Sequence, residues 1–181
     1  MMQTQFNSAK ATQSDKLPCR SLYKGAKIRE AIYTDADAIH HVLKSAFAPL
    51  AKRGYSKIAV FSAIGHPWRI RERIISEFPI LVAEIEDEII GTITGIAENE
   101  SMKISSFAVH PAHQGNRIGQ KLLLAIEEIA VKNGCNKTFL FTTWPMFEAI
   151  RLYNSLGYEK EGHLRRHFYG EDLLIFSKHL N

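Results

Sequence analysis

The centre of this 181-residue sequence holds a strand that runs directly into a glycine-containing loop and then into a helix. Apolar and β-branched residues predict the strand over 103–110, and Pro111 ends it. Apolar residues recur at helical spacing over 118–129, and the Asn-Gly pair at 133–134 predicts the end of that helix. N–H groups at such a junction point into one space, which favours a bound anion such as a pyrophosphate. The alternative is an ordinary strand-to-helix turn.

The spacing of the loop glycines excludes two common phosphate-binding motifs. Three residues separate Gly115 from Gly119, whereas a P-loop has four and continues with Lys and then Ser or Thr. The dinucleotide-binding motif requires a closer pair of glycines before the last one. We expect both glycines to let the backbone approach phosphate oxygens without a Cβ in the way.

The other segments alternate between strand and helix patterns in an order that defines the fold class. Predicted strands cover 27–33, 80–85, 89–97, 137–143, 158–168 and 173–180; predicted helices cover 35–47, one or two segments within 55–78, and 145–156. Thr34 and Asp35 are expected to cap the first helix. The resulting order, β-α-α-β-β-β-α-β-α-β-β, predicts an α+β or mixed α/β domain around one sheet.

The excess of basic residues lies in the N-terminal segment. Of the 23 basic and 19 acidic residues, five and one respectively lie in 1–27, so residues 28–181 contain 18 of each. A nucleic-acid partner, which a basic chain would otherwise favour, is therefore not expected. Residues 1–26 are predicted to be a flexible basic tail rather than a transit peptide, because they contain little arginine. Residues 27–181 are predicted to form the folded domain.

Several partner and compartment classes are not expected from the residue pattern. No apolar run approaches the roughly 20 residues that a membrane-spanning helix needs. Cys19 and Cys135 have neither metal-ligand nor redox spacing, which predicts free thiols and a cytoplasmic location. His110 and His113 have no Cys or carboxylate beside them, so no metal site is expected.

Two segments resemble motifs of the GCN5-related N-acetyltransferase (GNAT) family. Residues 109–119, Val-His-Pro-Ala-His-Gln-Gly-Asn-Arg-Ile-Gly, are similar to the signature Val-x-Pro-x-x-(Gln/Arg)-Gly-x-Gly-Ile-Gly. Residues 149–158, Ala-Ile-Arg-Leu-Tyr-Asn-Ser-Leu-Gly-Tyr, are similar to the family's Ala-x-x-Leu-Tyr-x-x-x-Gly-Phe box. The resemblance covers 27–180 and implies an α/β (α+β) fold: a mixed, mostly antiparallel seven-stranded sheet, flanked by about four helices and splayed between the fourth and fifth strands.

The resemblance also implies an activity and a set of site residues. It implies an acyltransferase that moves an acetyl group from acetyl-CoA to a primary amine by direct attack, without a metal. Backbone groups of Phe107, Ala108 and Val109 are expected to bind the pantetheine arm, and the Val109 N–H to hold the oxyanion. Backbone amides expected at the pyrophosphate belong to Gln114, Gly115, Asn116, Arg117, Ile118, Gly119 and Gln120. Tyr153 is the expected general acid for the departing thiolate; the alternative is a packed aromatic ring.

The sequence departs from the family pattern at three places. Arg117 replaces the middle glycine of the loop, so we expect a negative φ and a side chain that contacts a CoA phosphate or is solvated. Met146 replaces an asparagine that contacts the cofactor arm in relatives. Positions that carry a base in some relatives hold Lys103 and Phe141. The general base is unassigned; the candidates, each alternatively a solvated strand or turn residue, are Glu84, Glu98, Glu100 and His110.

The acceptor and the assembly state stay open at this point. The acceptor is a small molecule, a protein N-terminus or a lysine, and the protein is expected to be a monomer or a homodimer. Aromatic residues of the helical region either shape an amine pocket or fill the core: Tyr55, Phe61 and Trp68. Arg165 and Arg166 either face an acidic acceptor or are charges on an edge hairpin. A non-catalytic acyl-CoA-binding sensor is the alternative function, because the base is missing and because Met146 replaces the asparagine.

Overall fold

The computed structural model describes residues 25–180. The predicted tail lies almost entirely outside these residues, as does Cys19. The first strand begins at Lys27, and Cys135 is a free, buried thiol. No helix within 25–180 has the length and apolar character needed to cross a membrane.

Seven strands form one mixed sheet in the order β1-β2-β3-β4-β5-β7-β6. They are β1 (Lys27–Glu30), β2 (Ile80–Ile85), β3 (Glu88–Glu98), β4 (Ser101–Val109), β5 (Lys137–Thr142), β6 (Glu159–Phe168) and β7 (Glu171–His179). The β4–β5 pair is parallel and the other neighbouring pairs are antiparallel. The predicted sheet is confirmed.

Five α-helices flank the sheet among the described residues. They are α1 (Ala36–Phe47), α2 (Lys57–Ile64), α3 (Pro67–Ile75), α4 (Ile118–Lys132) and α5 (Phe147–Ser155). The segment predicted to hold one or two helices thus contains two, separated where Gly65 adopts a φ of +68°. Helix α5 begins at Phe147, two residues after its predicted start, because Met146 has a non-helical backbone.

Helix α4 packs on one face of the sheet, as its apolar spacing predicts. Four of its apolar side chains are almost fully buried in the main core: Ile118, Leu122, Leu123 and Ile126. Burying a side chain of this size stabilises the fold by roughly 2 kcal/mol. The start of α4 is therefore held firmly against the sheet at the end of the glycine loop.

Helices α1 and α3 pack on the opposite face. Their buried residues, including Ile39, Leu43 and Ile70, form a second core with Val82 of β2 and Ala108 of β4. Helix α2 extends this layer, and Val60 packs there with Leu50 and Tyr55. The sheet therefore separates two apolar layers, with α1, α2 and α3 on one side of it and α4 on the other.

The predicted capping role of Asp35 is wrong. The Asp35 side chain makes no capping hydrogen bond to α1; its Oδ2 instead accepts from the Ile32 N–H at 2.8 Å and from Arg29 Nη1 at 2.6 Å. Arg29 Nε also donates to Glu84 Oε2 at 2.8 Å. Burial alone would raise the pKa of Asp35, but the hydrogen bonds from Arg29 and Ile32 outweigh it and lower the pKa. Asp35 therefore ties α1 to the sheet through Arg29.

Replacing Arg29 with Gln should lower the free energy of unfolding by about 2–3 kcal/mol, because two partly buried carboxylates lose their partner. The folded-state pKa of Asp35 is depressed, so this stability is present above the ordinary value of 3.8 and is lost as the pH falls through the folded pKa. Denaturant unfolding at several pH values should therefore show the difference from wild type shrinking in acid.

Arg71→Gln is the control for this substitution, since Arg71 pairs with the exposed Asp37. That variant should cost less than about 1 kcal/mol. Equal losses in the two variants would contradict the role of Arg29.

Candidate active site

Strands β4 and β5 separate partway along their length, which opens a gap in the sheet. Their parallel ladder stops after the Ile104–Leu140 pair. Beyond that point β4 stays paired with β3 as far as Val109, whereas β5 stays paired with β7 as far as Thr142. The predicted splay between the fourth and fifth strands is confirmed.

A β-bulge lies in β4 where the gap begins. The β3–β4 ladder advances two residues along β3, from Thr94 to Thr92, but three along β4, from Ser105 to Ala108. Ser106, inside that step, has a φ of +47°. A bulge of this kind bends a strand and redirects its backbone groups, which is why bulges are common next to active sites.

Beyond the bulge, the backbone groups of β4 alternate between β3 and the gap. The His110 N–H donates to a β3 carbonyl at 2.8 Å. Because neighbouring residues of a strand direct their N–H and C=O groups to opposite edges, those of Val109 and Phe107 face the gap and those of Ala108 face β3. The Val109 carbonyl accepts a hydrogen bond from Gln114 Nε2 at 2.9 Å. The gap edge of β4 thus offers polar backbone groups to a ligand.

A cavity of 330 Å³ extends through this gap and connects the two layers of helices. Side chains of α1, α2 and α3 line one side of it, and Tyr153 of α5 lies on the other side of the sheet. Phe107 and Phe141 line it from the two separated strands, and Phe168 lines it from β6. The cavity is open to a ligand that spans the sheet at the splay.

Tyr153 is buried at the junction of the cavity and the main core. Its side chain is 5% exposed, and its ring centroid lies 6.2 Å from that of Phe107 and 5.9 Å from that of Tyr158. Burial raises the pKa of the Tyr153 phenol above its ordinary value of 10.0. The hydroxyl is therefore protonated throughout the physiological pH range, as an acid must be before it donates.

The glycine loop between β4 and α4 is braced by its own side chains. After a short 3₁₀ turn at Pro111–His113, Gly115 adopts a φ of +78°, which a residue with a Cβ adopts only with strain. The Asn116 side-chain amide donates to the carbonyls of His113 and Gln114 at 3.1 Å each. The loop is thus held in one shape, in front of the start of α4.

The expectation that Arg117 keeps a negative φ is wrong. Arg117 immediately precedes α4 and has a φ of +62° and a ψ of +13°, the left-handed conformation. An arginine in this region costs about 1 kcal/mol relative to glycine, which the firmly packed start of α4 offsets. The middle position of the loop therefore keeps the backbone shape of a glycine although it holds an arginine.

Gly119 is required for the packing of helix α4. A Cβ built on Gly119 would lie 3.1 Å from Leu152 Cδ2 and 3.2 Å from Phe107 Cζ. A Cβ on Gly115, in contrast, would meet no atom within 4 Å. The two loop glycines therefore have different structural roles. Gly115 allows the positive φ of the turn, and Gly119 allows α4 to pack closely against β4 and α5.

None of the four candidate bases lines the cavity. Glu84 is bound to Arg29, Glu98 pairs with Lys103 at 2.9 Å, and Glu100 accepts from Asn136 at 3.0 Å. His110 accepts the Ala112 N–H at 3.4 Å through Nδ1, at the start of the 3₁₀ turn. Among the described residues, those that line the cavity include no Asp or Glu.

Three buried hydroxyl groups that line the cavity lack a hydrogen-bond partner among the described residues. They are those of Tyr55, Thr142 and Thr143. Burial, with a smaller contribution from the Glu171 charge, raises the pKa of Tyr55 to about 12. Buried polar groups are normally hydrogen-bonded, so these hydroxyls indicate that the cavity receives water or a polar ligand.

The position of Arg73 in the cavity wall and the bulge at Ser106 were not predicted from the sequence. Arg73 lines the cavity from α3, and its Nη1 donates to Ser106 Oγ at 3.3 Å. Arg69 and Arg73 are four residues apart and therefore lie on one face of a helix. This spacing does not predict which face lines the cavity. Tyr55 lines the cavity, which is one of the two alternatives predicted for it. Arg165 and Arg166 do not line the cavity.

The histidine rings near the loop pack against one another, with His41 stacked on His110 and His113 tilted against it. The ring centroids of His110 and His113 lie 5.8 Å apart, and those of His41 and His110 lie 5.9 Å apart. Within residues 25–180, no three His, Cys, Asp or Glu side chains are placed to hold a metal ion.

Known proteins similar to this chain share one activity in their names. Acetyltransferase plu1384 of Photorhabdus laumondii is 31% identical over 111 residues, which are 60% of this chain and 72% of that protein. Acetyltransferase SG1711 of Sodalis glossinidius is 29% identical over 92 residues, 50% of this chain. That match spans 65% of the length of the Sodalis protein, slightly less than two thirds.

Solved structures of proteins named as acetyltransferases have a similar fold. The PaiA N-acetyltransferase of Thermoplasma acidophilum, solved in complex with coenzyme A, superposes with a TM-score of 0.75 at 20% identity. The superposition covers 86% of this chain and 99% of that one. A family model described as acetyltransferase (GNAT) family matches residues 42–158, well over half of the sequence. The chain therefore belongs to the GNAT acetyltransferase family.

Proposed function

We propose that this protein transfers the acetyl group of acetyl-CoA to a primary amine by direct attack. The observation that carries the proposal is the cavity through the β4–β5 gap, which has polar backbone groups of β4 on one side and Tyr153 beyond the sheet. A thioester placed there is open to an amine from the α1–α3 side. The amine nitrogen forms a bond to the carbonyl carbon, an oxyanion forms, and the carbon–sulfur bond then breaks.

The gap edge of β4 is the proposed site for the pantetheine arm and the oxyanion. Val109 and Phe107 direct N–H groups into the gap, where an extended arm would pair with them as an added strand does. The Val109 N–H is the oxyanion donor that the sequence suggested, and the Phe107 N–H is a second candidate because Phe107 lines the cavity beside Tyr153. Ala108 contributes a backbone paired to β3 and a side chain packed in the second core.

The glycine loop is the proposed site for the pyrophosphate. N–H groups from Gln114 to Gln120 precede or begin the 15-residue helix α4, whose macrodipole places partial positive charge at that end. The left-handed residues Gly115 and Arg117 redirect successive N–H groups toward one concave surface, a geometry that binds anions. The Arg117 guanidinium adds a charge that is suited to a phosphate.

Tyr153 is the proposed general acid for the thiolate that leaves. Burial raises the pKa of the Tyr153 phenol, but it also raises the pKa of a thiol formed in the same cavity, so the difference that opposes proton transfer stays small. The departing thiolate is therefore basic enough to accept the proton of the Tyr153 hydroxyl. The proton that the amine loses is proposed to leave through water, which the unpaired hydroxyls of Tyr55, Thr142 and Thr143 would bind.

Acetyl-CoA binding is tested first by thermal unfolding. At a thousand times its Kd, acetyl-CoA should raise the free energy of unfolding by about 4 kcal/mol, or the Tm by about 8–16 °C. Free acetate at the same concentration is the control and should give no shift. No shift with acetyl-CoA at millimolar concentration would overturn the proposal.

Turnover is tested separately, by the release of free CoA thiol with a panel of amines. The absence of Asp and Glu from the described cavity wall favours the second candidate, a non-catalytic acyl-CoA sensor. A large Tm shift without CoA release from any amine would support the sensor. CoA release that depends on the amine would support the transferase.

A further inference from the structure

The wall of the cavity contains a half-buried guanidinium without a carboxylate partner. Within residues 25–180, no carboxylate oxygen lies within 4.0 Å of an Arg73 nitrogen, and the recorded hydrogen bond goes to the Ser106 hydroxyl at 3.3 Å. Burial, with a further contribution from Arg69, lowers the pKa of Arg73, and Glu72 offsets only part of this. A charge in such a position is unfavourable unless it gains a partner.

Other arginines of the same protein do have such partners. Arg71, on the same helix, pairs with Asp37, and Arg29 binds both Asp35 and Glu84. Whether an arginine of α3 has a carboxylate partner depends on the helix face on which it lies. Arg69 and Arg73, four residues apart, line the cavity, whereas Arg71 does not. The unpaired arginines of α3 are therefore the ones that face the cavity.

The charge of the cavity wall is positive overall. Its ionisable side chains include His66, Arg69, Arg73 and Lys103, and no acidic residue of the described chain lines it. Lys103 already has Glu98 as a partner, and Arg69 lies over the ring of Trp68, 5.4 Å from its centroid. Like charges at i and i+4 on a helix repel each other, and an anion beside them would relieve this. Arg73 is the cation best placed to bind one.

We propose that the acceptor is a free amino acid whose carboxylate pairs with the Arg73 guanidinium while its amine points into the β4–β5 gap. The inference rests on the proposed acetyl transfer and names the substrate class of that same site. Arg73 contacts Ser106, which directly precedes Phe107, so an anion at Arg73 lies next to the proposed reaction centre. In a free amino acid, one carbon atom separates the amine from the carboxylate, so a carboxylate bound at Arg73 keeps the amine close to Ser106 and Phe107.

Two other acceptor classes fit the site less well. A polyamine would bring further positive charge against Arg69 and Arg73, which is unfavourable in a poorly solvated cavity. A protein N-terminus has a neutral peptide group where a free amino acid has its carboxylate, so Arg73 would stay unpaired. The planar guanidinium matches a carboxylate through two parallel hydrogen bonds.

The test compares acceptors that differ only in the carboxylate. CoA release is measured with the twenty L-amino acids, and then with the amide and the decarboxylated amine of the best one. We expect kcat/KM to fall about 100-fold when the carboxylate is removed, because Arg73 then stays buried and unpaired. Similar values for acid and amide, or a preference for spermidine or for peptides with a free N-terminus, would overturn the inference.

Arg73→Gln should lower kcat/KM for the amino acid about 100-fold, mainly through KM, and change it less than threefold for the amide. Its Tm should not fall, because the variant removes a half-buried charge that has no carboxylate partner in the resting protein. Arg71→Gln, on the same helix but outside the cavity, should leave both acceptors unaffected. An equal loss on acid and amide, or a large loss of Tm, would contradict a role in carboxylate binding.

The outcomes separate this inference from the proposed transfer on which it rests. If acetyl-CoA raises the Tm and amines other than amino acids are acetylated, the transfer stands and the amino-acid inference fails. If acetyl-CoA gives no Tm shift, the proposed function itself fails. If acetyl-CoA binds and an amino acid is the preferred acceptor, both are supported.

Discussion

Replacing Tyr153 with Phe is expected to lower kcat about 100- to 1000-fold and to change the KM for acetyl-CoA less than threefold. The substitution removes the acid proposed to protonate the thiolate, and general acid catalysis typically contributes 10²–10⁴-fold. The ring itself stays, so its contacts with Phe107, Tyr158 and Phe176 are kept. Steady-state CoA release with a saturating amine measures the effect.

Tyr158→Phe is the matched control, because Tyr158 is a buried tyrosine whose ring centroid lies 5.9 Å from that of Tyr153. Its hydroxyl oxygen accepts a hydrogen bond from Thr138 Oγ1 at 3.0 Å, and Tyr158 does not line the cavity. This variant should lose about 1–2 kcal/mol of stability and keep its kcat within threefold. A Tyr153→Phe enzyme with kcat within twofold of wild type would show that the proton comes from elsewhere.

The pH dependence gives an independent view of the same group. Because burial raises the pKa of Tyr153, its deprotonation should not limit kcat until well above pH 10. An acid with a raised pKa keeps its proton as the pH rises, so the alkaline fall of kcat moves to higher pH. A decline near pH 8 that disappears in Tyr153→Phe would contradict the protonated, buried phenol.

Replacing Gly115 with Val is expected to raise the KM for acetyl-CoA and the Kd of CoA about 10- to 100-fold. At a φ of +78° a β-branched residue is strongly strained, so the loop would relax to a negative φ and turn its N–H groups away from the proposed pyrophosphate site. Space is not the reason, because an added Cβ would meet no atom within 4 Å. Calorimetric titration with CoA and steady-state kinetics measure the change.

Gly134→Val is the control, since Gly134 has nearly the same backbone angle and equally open surroundings. Its φ is +77°, an added Cβ would again meet nothing, and it follows α4 at the end far from the loop. Both variants should lose comparable stability, roughly 1–2 kcal/mol. Equal effects of the two variants on CoA affinity would argue against a specific role for the loop.

The proposed transfer predicts that these variants affect different steps of the reaction. Tyr153→Phe is expected to change kcat, Gly115→Val the affinity for the cofactor, and Arg73→Gln the KM for the acceptor. The separation follows from where the residues lie: beyond the sheet in α5, in the loop before α4, and in α3 on the opposite face. A variant that changes more than one of these constants would indicate that the loop or α3 shifts when the cofactor binds.

The secondary structure was predictable because its signals are local. The Pro67 start of α3 and the apolar face of α4 follow from spacing and from single-residue preferences. Asp35 shows the limit of such rules. It stands where a capping residue is common, but Arg29, six residues earlier, and Glu84, in another strand, determine what its carboxylate does. A long-range ion pair outweighs a local preference.

The position of the glycine loop before α4 and that of Tyr153 in α5 were predictable, whereas the backbone details of the loop were not. The glycine spacing pointed to the loop, and the two motifs pointed to Tyr153. The φ of Arg117 was mispredicted, because the packing of Ile118 and Leu122 fixes where α4 begins and forces the preceding residue into a left-handed turn. Gly119 was expected to allow an approach to phosphate, and the close contact of α4 with Phe107 and Leu152, which also requires a glycine there, was not predicted.

The acceptor half depended on the tertiary structure. The sequence by itself determined the order of the elements, the glycine loop, Tyr153 and the family, since each is encoded by residues that are close together in the chain. Only the folded chain decided that Arg73 of α3 meets Ser106 of β4 in the wall of the cavity, and that no described acidic residue shares that wall. Arg73 and Ser106 are 33 residues apart, and their contact depends on how α3 packs over the bulge in β4.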